Sequence, residues 1–341
     1  MQEKFTAKYN PGAELRGEGW LHLHRNENLF IGPDWTVTAA QQLIEKADIA
    51  AYPNASCDSL RAALAELYGV KPQNIFVGNG SDEVLADLLD LLRHAYDTMN
   101  VLDVCFKIYL LLAERYRFRV NVLPGETFAT GRVSPNGWQG LAVIDSPNAI
   151  TSACLAADDL KTLAGAANSF VIWDNAYGEF AGDRVPVHLQ RNFVTVRTFS
   201  KFYGLAGLRI GYCIADEALV EEMLARKDAF NVNSLAQVMA LEALRRKKYF
   251  DAIRDELVEA RQQLVQHLLA FGFKVHQPGG NFVLATHPKF AAEMVQKELM
   301  QRRIAVRRFD GALTANYLRI TVPPASGMAR LAEALHEILQ A

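Results

Sequence analysis

The sequence predicts an α/β fold built on a mostly parallel sheet, with a smaller α+β unit attached. Three observations point there. Short apolar runs alternate with longer amphipathic stretches through the middle of the chain. The motifs able to do chemistry fall just past the ends of those runs, where ligands sit in such sheets. Near residue 231 the alternation gives way to long helical patterns. Length agrees, since 341 residues exceed what one core organises, about 250–300 residues.

Seven apolar runs read as strands: 74–77, 101–105, 118–123, 141–145, 170–174, 193–198 and 209–214. Residues 81–92 set Val84, Leu85, Leu88, Leu91 and Leu92 on one stripe, the spacing of a helix against a sheet. Beyond residue 231, 234–247 and 249–271 read as long helices. Residues 273–275, 281–285 and 317–322 read as strands, and 291–302 and 328–340 as further helices. The first 45 residues precede the first α/β element and are assigned to the smaller unit. The expected division is 46–230 for the large unit, and 1–45 with 231–341 for the smaller one.

Composition narrows the function. Lys plus Arg number 36 and Asp plus Glu 38, a net charge of −2. No basic field exists to hold nucleic acid, and no polybasic tail to hold a membrane surface. No apolar run approaches the ~20 residues of a membrane span. Residues 1–10 carry no apolar stretch like that of a signal peptide, so a cytoplasmic protein is expected. Cys57, Cys105, Cys154 and Cys213 form no C-x-x-C pair, so neither a metal site nor a disulfide framework is expected.

The most informative segment runs from Thr198 to Tyr212. Lys201 sits past a predicted strand end in a Ser- and Gly-rich turn. Ser200 and Arg209 flank it, and both side chains can bind a phosphate. A solvated surface lysine is the commoner case, but the flanks here are glycine-rich and apolar. Gly78-Asn-Gly-Ser-Asp-Glu83 lies between a strand and a helix, where free backbone N–H groups suit an anion. By itself it reads equally well as a plain turn and N-cap. It is no dinucleotide fingerprint, because the third glycine falls at Glu83. The strand at 170–174 ends in Asp174-Asn-Ala-Tyr177. A strand-end acid can keep a pyridine nitrogen protonated, and a phenol can bond a ring oxygen. A lysine, a phosphate cradle and such an acid are together what pyridoxal phosphate requires.

With these motifs in order, the chain resembles the fold-type I pyridoxal-phosphate aminotransferases, most closely the histidinol-phosphate aminotransferase branch. The resemblance rests on Ser200-Lys-x-x-Gly-Leu-Ala-Gly-Leu-Arg-x-Gly211, and on Asn26-Glu-Asn28, Tyr52-Pro53, Gly78–Glu83, Ser146-Pro-Asn148, Asp174–Tyr177 and Leu318-Arg-Ile-Thr321. It implies a homodimer with a shared active site, a small-molecule amino donor and a 2-oxo acid acceptor. It implies that Lys201 carries the cofactor as a Schiff base and shuttles a proton. Asp174 would pair with the pyridine nitrogen and Tyr177 with the ring hydroxyl. Gly80, Ser81, Asp82, Ser200 and Arg209 would hold the phosphate, and Tyr52 would reach the partner subunit's phosphate. Arg319 would clamp the substrate carboxylate or the group replacing it. Its strand agrees, since Leu318, Ile320 and Val322 alternate onto one face and leave Arg319 on the other.

Four departures stand out. The family's second loop asparagine aligns with Ala149, leaving Asn148, through a shifted loop, as the candidate replacement. The ring-stacking aromatic aligns with Phe106, with Tyr109 as runner-up. Asn26-Glu-Asn-Leu-Phe30 loses a tyrosine hydroxyl on the substrate side, where Asn28 and Phe30 are expected. Pro323-Pro324 replaces a Gly-Thr after the Arg319 strand. The cofactor machinery is thus mostly kept and the substrate side altered. An aminotransferase is the leading expectation. A decarboxylase, cyclase, eliminase or oxidase using the same cofactor is the alternative, because fold resemblance does not fix the reaction. A non-catalytic binding protein and a nicotinamide-dependent dehydrogenase fit the motifs less well.

Overall fold

After a short first strand, β1 (Leu21–Leu23), the chain lays down the seven strands of its main sheet. These are β2 (Ile75–Gly78), β3 (Thr98–Val101), β4 (Arg119–Val122), β5 (Gly140–Asp145), β6 (Ser169–Asp174), β7 (Phe193–Thr198) and β8 (Gly211–Ile214). Their order across the sheet is β2-β8-β7-β6-β5-β3-β4. Every neighbouring pair is parallel except those of β8, which runs antiparallel to both β2 and β7. The structure, a computed structural model, describes residues 15, 17–44, 48, 50–123, 139–155, 157–165, 168–182 and 189–340. The expected membership of residues 1–14 in the smaller unit, and the expected boundary at 45/46, lie outside the described residues.

Each residue of β6 and β7 is buried, because helices cover both faces of the sheet. That is why these strands read as continuous apolar runs rather than as alternating ones. On one face the helix Ser81–Leu92 packs Val84, Leu85 and Leu88 against Phe76, Val143 and Ile172. On the other, Leu160 and Leu163 of the helix Ala157–Gly165 pack on Ile144, Val171 and Trp173. Fully burying one such aliphatic side chain stabilises by about 1.5–3 kcal/mol.

The strand expected at 101–105 forms at Thr98–Val101 instead. Asn100 sits inside it, and its amide donates to the carbonyls of Gln139 and Leu141 beside β5. Pairing with β5 therefore outweighs the apolar run, whose later half turns at Asp103, where the carboxylate accepts from the Val104 N–H.

The remaining strands are β9 (Lys274–Val275), β10 (Phe282–Thr286), β11 (Ile304–Val306) and β12 (Leu318–Thr321). A three-stranded antiparallel sheet has the order β12-β10-β9, and β1 pairs parallel with β11. The β1–β11 pair escapes the sequence pattern because strands of three residues show no periodicity. A π-helical turn at Asp34–Ala39 was likewise unsignalled. One apolar cluster joins Ile75, Phe199 and Tyr212 near the main sheet to Phe250, Phe282 and Ile320 beyond it. It seats the smaller sheets over the carboxyl-end loops of the large one. No described helix is long and apolar enough to cross a membrane.

Candidate active site

The carboxyl ends of β2, β5, β6 and β7 point one way, and the antiparallel β8 begins at that same end. Asp145 and Asp174, the last residues of β5 and β6, are register partners there. Gly78 and Gly211, the last of β2 and the first of β8, are partners too. Lys201 follows β7 by three residues.

Next to Gly211, the helix Ser81–Leu92 starts from Gly80, whose φ is +87°, and no side chain caps it. Its first backbone N–H groups are thus open to an anion. Two glycines make the close approach possible. A Cβ on Gly80 would strike the Arg209 guanidinium, and one on Gly211 would strike the backbone of Gly80 and Ser81. Arg209 donates to the Asp82 carboxylate at 2.9 Å, with both side chains nearly half exposed, so the pair alone adds little stability. Ser200 is buried, and its Oγ accepts from the Thr198 hydroxyl at 3.0 Å.

Asp174 is buried, which pushes its carboxyl up to about 6, against the pull of the Tyr109 hydroxyl that donates to it at 2.7 Å. Its other oxygen accepts from the Ala176 N–H. Tyr109 is fully buried on the helix Lys107–Tyr116, so its hydroxyl serves Asp174, while Phe106 caps that helix edge-on to it at 5.8 Å. Lys201 Nζ donates to the Arg25 carbonyl at 3.4 Å and lies 5.6 Å from the Tyr177 ring centre. The Tyr177 hydroxyl accepts from the Asn26 amide at 3.1 Å. Asn26 in turn is held by Thr321 and Asn281.

Arg319 is buried between two aromatic faces, 5.3 Å from the Phe282 ring centre and 5.2 Å from that of Phe309. It donates to the carbonyls of Ala149 at 2.8 Å and His24 at 3.0 Å. Arg307 bridges to Arg319 through backbone hydrogen bonds and lies 5.5 Å from the same Phe309 ring centre.

Asn148 and Asn28 are placed differently from expectation. Asn148 has its hydrogen-bonding capacity filled by Val104, Asp145, Ile150 and Thr151, so it builds the loop rather than facing a ring. Asn28 donates to the Phe202 carbonyl and accepts from the Phe30 N–H, fastening its segment onto the Lys201 turn. Tyr52, expected to reach a partner subunit rather than the site of its own chain, is 81% exposed and stacks on Phe230 at 4.5 Å. Arg307, Asp145 and the Tyr109–Asp174 bond were missed by sequence reasoning. The only available signals were the doubled arginine at 307–308 and a lone acid ending an apolar strand.

Comparison with known proteins follows the same lines. A family profile described as aminotransferase class I and II matches residues 18–338, and the chain belongs to that family. It is a pyridoxal-phosphate-dependent enzyme of fold type I. A histidinol-phosphate aminotransferase of Microcystis aeruginosa is 31% identical over 337 residues, covering 98% of this chain and 96% of that protein. The solved histidinol-phosphate aminotransferase of Sinorhizobium meliloti, in complex with pyridoxal-5'-phosphate, shares the fold. Its TM-score is 0.85 at 23% identity, over 94% of this chain and 90% of that one. L-threonine-O-3-phosphate decarboxylase of Porphyromonas gingivalis shares it too, with a TM-score of 0.79 at 22% identity, over 94% and 100% of the two chains.

The residues present fit the cofactor. The uncapped start of the helix Ser81–Leu92, with the Arg209 guanidinium packed against Gly80, suits a phosphate. A carboxyl as buried as Asp174, raised by that burial, suits a cationic ring nitrogen.

Proposed function

We propose that the enzyme moves an amino group between an amino alcohol phosphate of the histidinol phosphate type and a 2-oxo acid. The pairing of Arg307 with Arg319 around Phe309 carries this reading. Two guanidinium groups gathered on one ring suit a dianionic phosphate monoester in one half-reaction and a carboxylate in the other. The histidinol-phosphate aminotransferases among its relatives support the same substrate class.

Bound pyridoxal phosphate supplies an electron sink for charge developing at the substrate's Cα. Lys201 carries the proton to and from that carbon. Asp174 holds a proton on the ring nitrogen, and Tyr109 keeps the Asp174 carboxylate oriented. Asn26 donates to the Tyr177 oxygen, which leaves the Tyr177 hydrogen for the ring oxygen. The start of the helix Ser81–Leu92, with Arg209 and Ser200, holds the phosphate, and Phe106 offers a stacking face. Arg319 binds the carboxylate of the oxo acid.

A homodimer and a cytoplasmic location belong to this reading, with exposed Tyr52 and Phe230 meeting the partner. So does a division into 46–230 and 1–45 with 231–341, since the two small sheets draw only on the latter segments.

The test uses cofactor-loaded enzyme, a panel of 15N-labelled amino donors including histidinol phosphate, and 2-oxoglutarate. Labelled glutamate, formed as fast as histidinol phosphate is consumed, is expected. Arg307→Ala should raise KM for the phosphate-bearing donor about 10–100-fold and leave that for the oxo acid nearly unchanged. Release of carbon dioxide or ammonia from a donor, with no label in the acceptor, would overturn the reading in favour of a decarboxylase or eliminase.

A further inference from the structure

Asp145 has no part in the chemistry described above, yet it ends β5 beside Asp174 and is almost wholly buried. Burial pushes its carboxyl up to about 7. A second carboxylate here is costly to keep unless its oxygens are well used. They are. One accepts from the Asn148 amide at 3.0 Å and the other from the Ala149 N–H at 2.8 Å. Asn148 then gathers the next turn through the N–H groups of Ile150 and Thr151. The carbonyl of Ala149 emerges from this loop and accepts from Arg319 Nη1 at 2.8 Å. A buried carboxyl group and the buried guanidinium are thus joined through one residue, whose own side chain is only a methyl group.

We propose that Asp145 is a positioning residue for substrate binding. By holding Ala149 and Asn148 it fixes the carbonyl that orients Arg319, and so sets the anion-binding fork without touching substrate. A neutral Ser or Asn at 145 could not accept from both donors with the geometry of a carboxylate. The inference rests on the proposed role of Arg319.

A double-mutant cycle tests it, with Asp145→Ala, Arg319→Ala and both together. Asp145→Ala should raise KM for the oxo acid about tenfold, with a smaller change in kcat. In the Arg319→Ala background it should add little, because the path it acts through is gone. Asp145→Asn keeps one acceptor and should recover part of the loss; it also carries the test if the alanine variant fails to fold. A second readout needs no cofactor. Amide hydrogen exchange across residues 146–153 should quicken in both Asp145 variants, most of all at Ala149. If Arg319→Ala raises KM but Asp145→Asn changes neither KM nor exchange, or if the two alanine effects multiply in full, this inference falls alone. If Arg319→Ala leaves KM unchanged, the proposed role of Arg319 falls and this inference with it.

Discussion

Tyr109 shows how a single side chain acts on the chemistry from a buried position. Its hydroxyl donates to the Asp174 carboxylate and favours the ionised form. Tyr109→Phe removes that donor and leaves the acid buried, so the Asp174 carboxyl should rise further. The acid limb of the kcat/KM profile should then move to higher pH, with activity near its optimum lowered about 10–100-fold. An unmoved acid limb in a full pH–rate profile would show that this bond does not tune Asp174. Lys201, Asp174 and Tyr177 were legible in the sequence because each stands in a local motif at a strand end. The Tyr109–Asp174 bond was not, since it spans 65 residues and depends on how a helix leans on the sheet. For the same reason Asn148 looked like a ring ligand. Only its four partners show that the loop itself uses up its amide.

Among the elements, the antiparallel β8 matters most to the site, for it brings Arg209 and Gly211 to the helix Ser81–Leu92. Gly211→Ala would press a methyl group into the backbone of Gly80 and Ser81 and displace the start of that helix. The expected cost is about 1–3 kcal/mol of stability, together with at least about tenfold weaker cofactor binding. Gly207→Ala, with open space around it, is the control and should shift stability by under about 0.5 kcal/mol. Urea titration and cofactor equilibrium binding would check both; equal effects of the two substitutions would refute the close-approach argument. The bounds of this helix were legible to the residue because an apolar stripe and a preceding glycine agree. Those of β3 were not, because a cross-strand amide overrode the apolar run.

The whole molecule carries two neighbouring buried acids at the end of its main sheet, and this gives its stability a pH dependence. Asp145 is raised to about 7 and Asp174 to about 6, from an ordinary 3.8. Between about pH 4 and pH 7 the folded, cofactor-free protein therefore binds more protons than the unfolded chain. Stability from these groups is present below pH 4 and is lost as pH rises through 6 to 7. The urea midpoint of the cofactor-free protein should fall across that window, and Asp145→Asn with Asp174→Asn should flatten the slope. A midpoint rising steadily from pH 4 to 7 would contradict both shifts. Sequence alone determined the α/β class, the strand-end motifs and the cofactor chemistry, because periodicity and turn residues act over a few positions. Tertiary structure alone decided which buried partner each acid has, that Arg307 joins Arg319, and that Asp145 holds the Ala149 loop. Those contacts join residues distant in sequence, and their geometry is fixed only when the sheets pack around a common core.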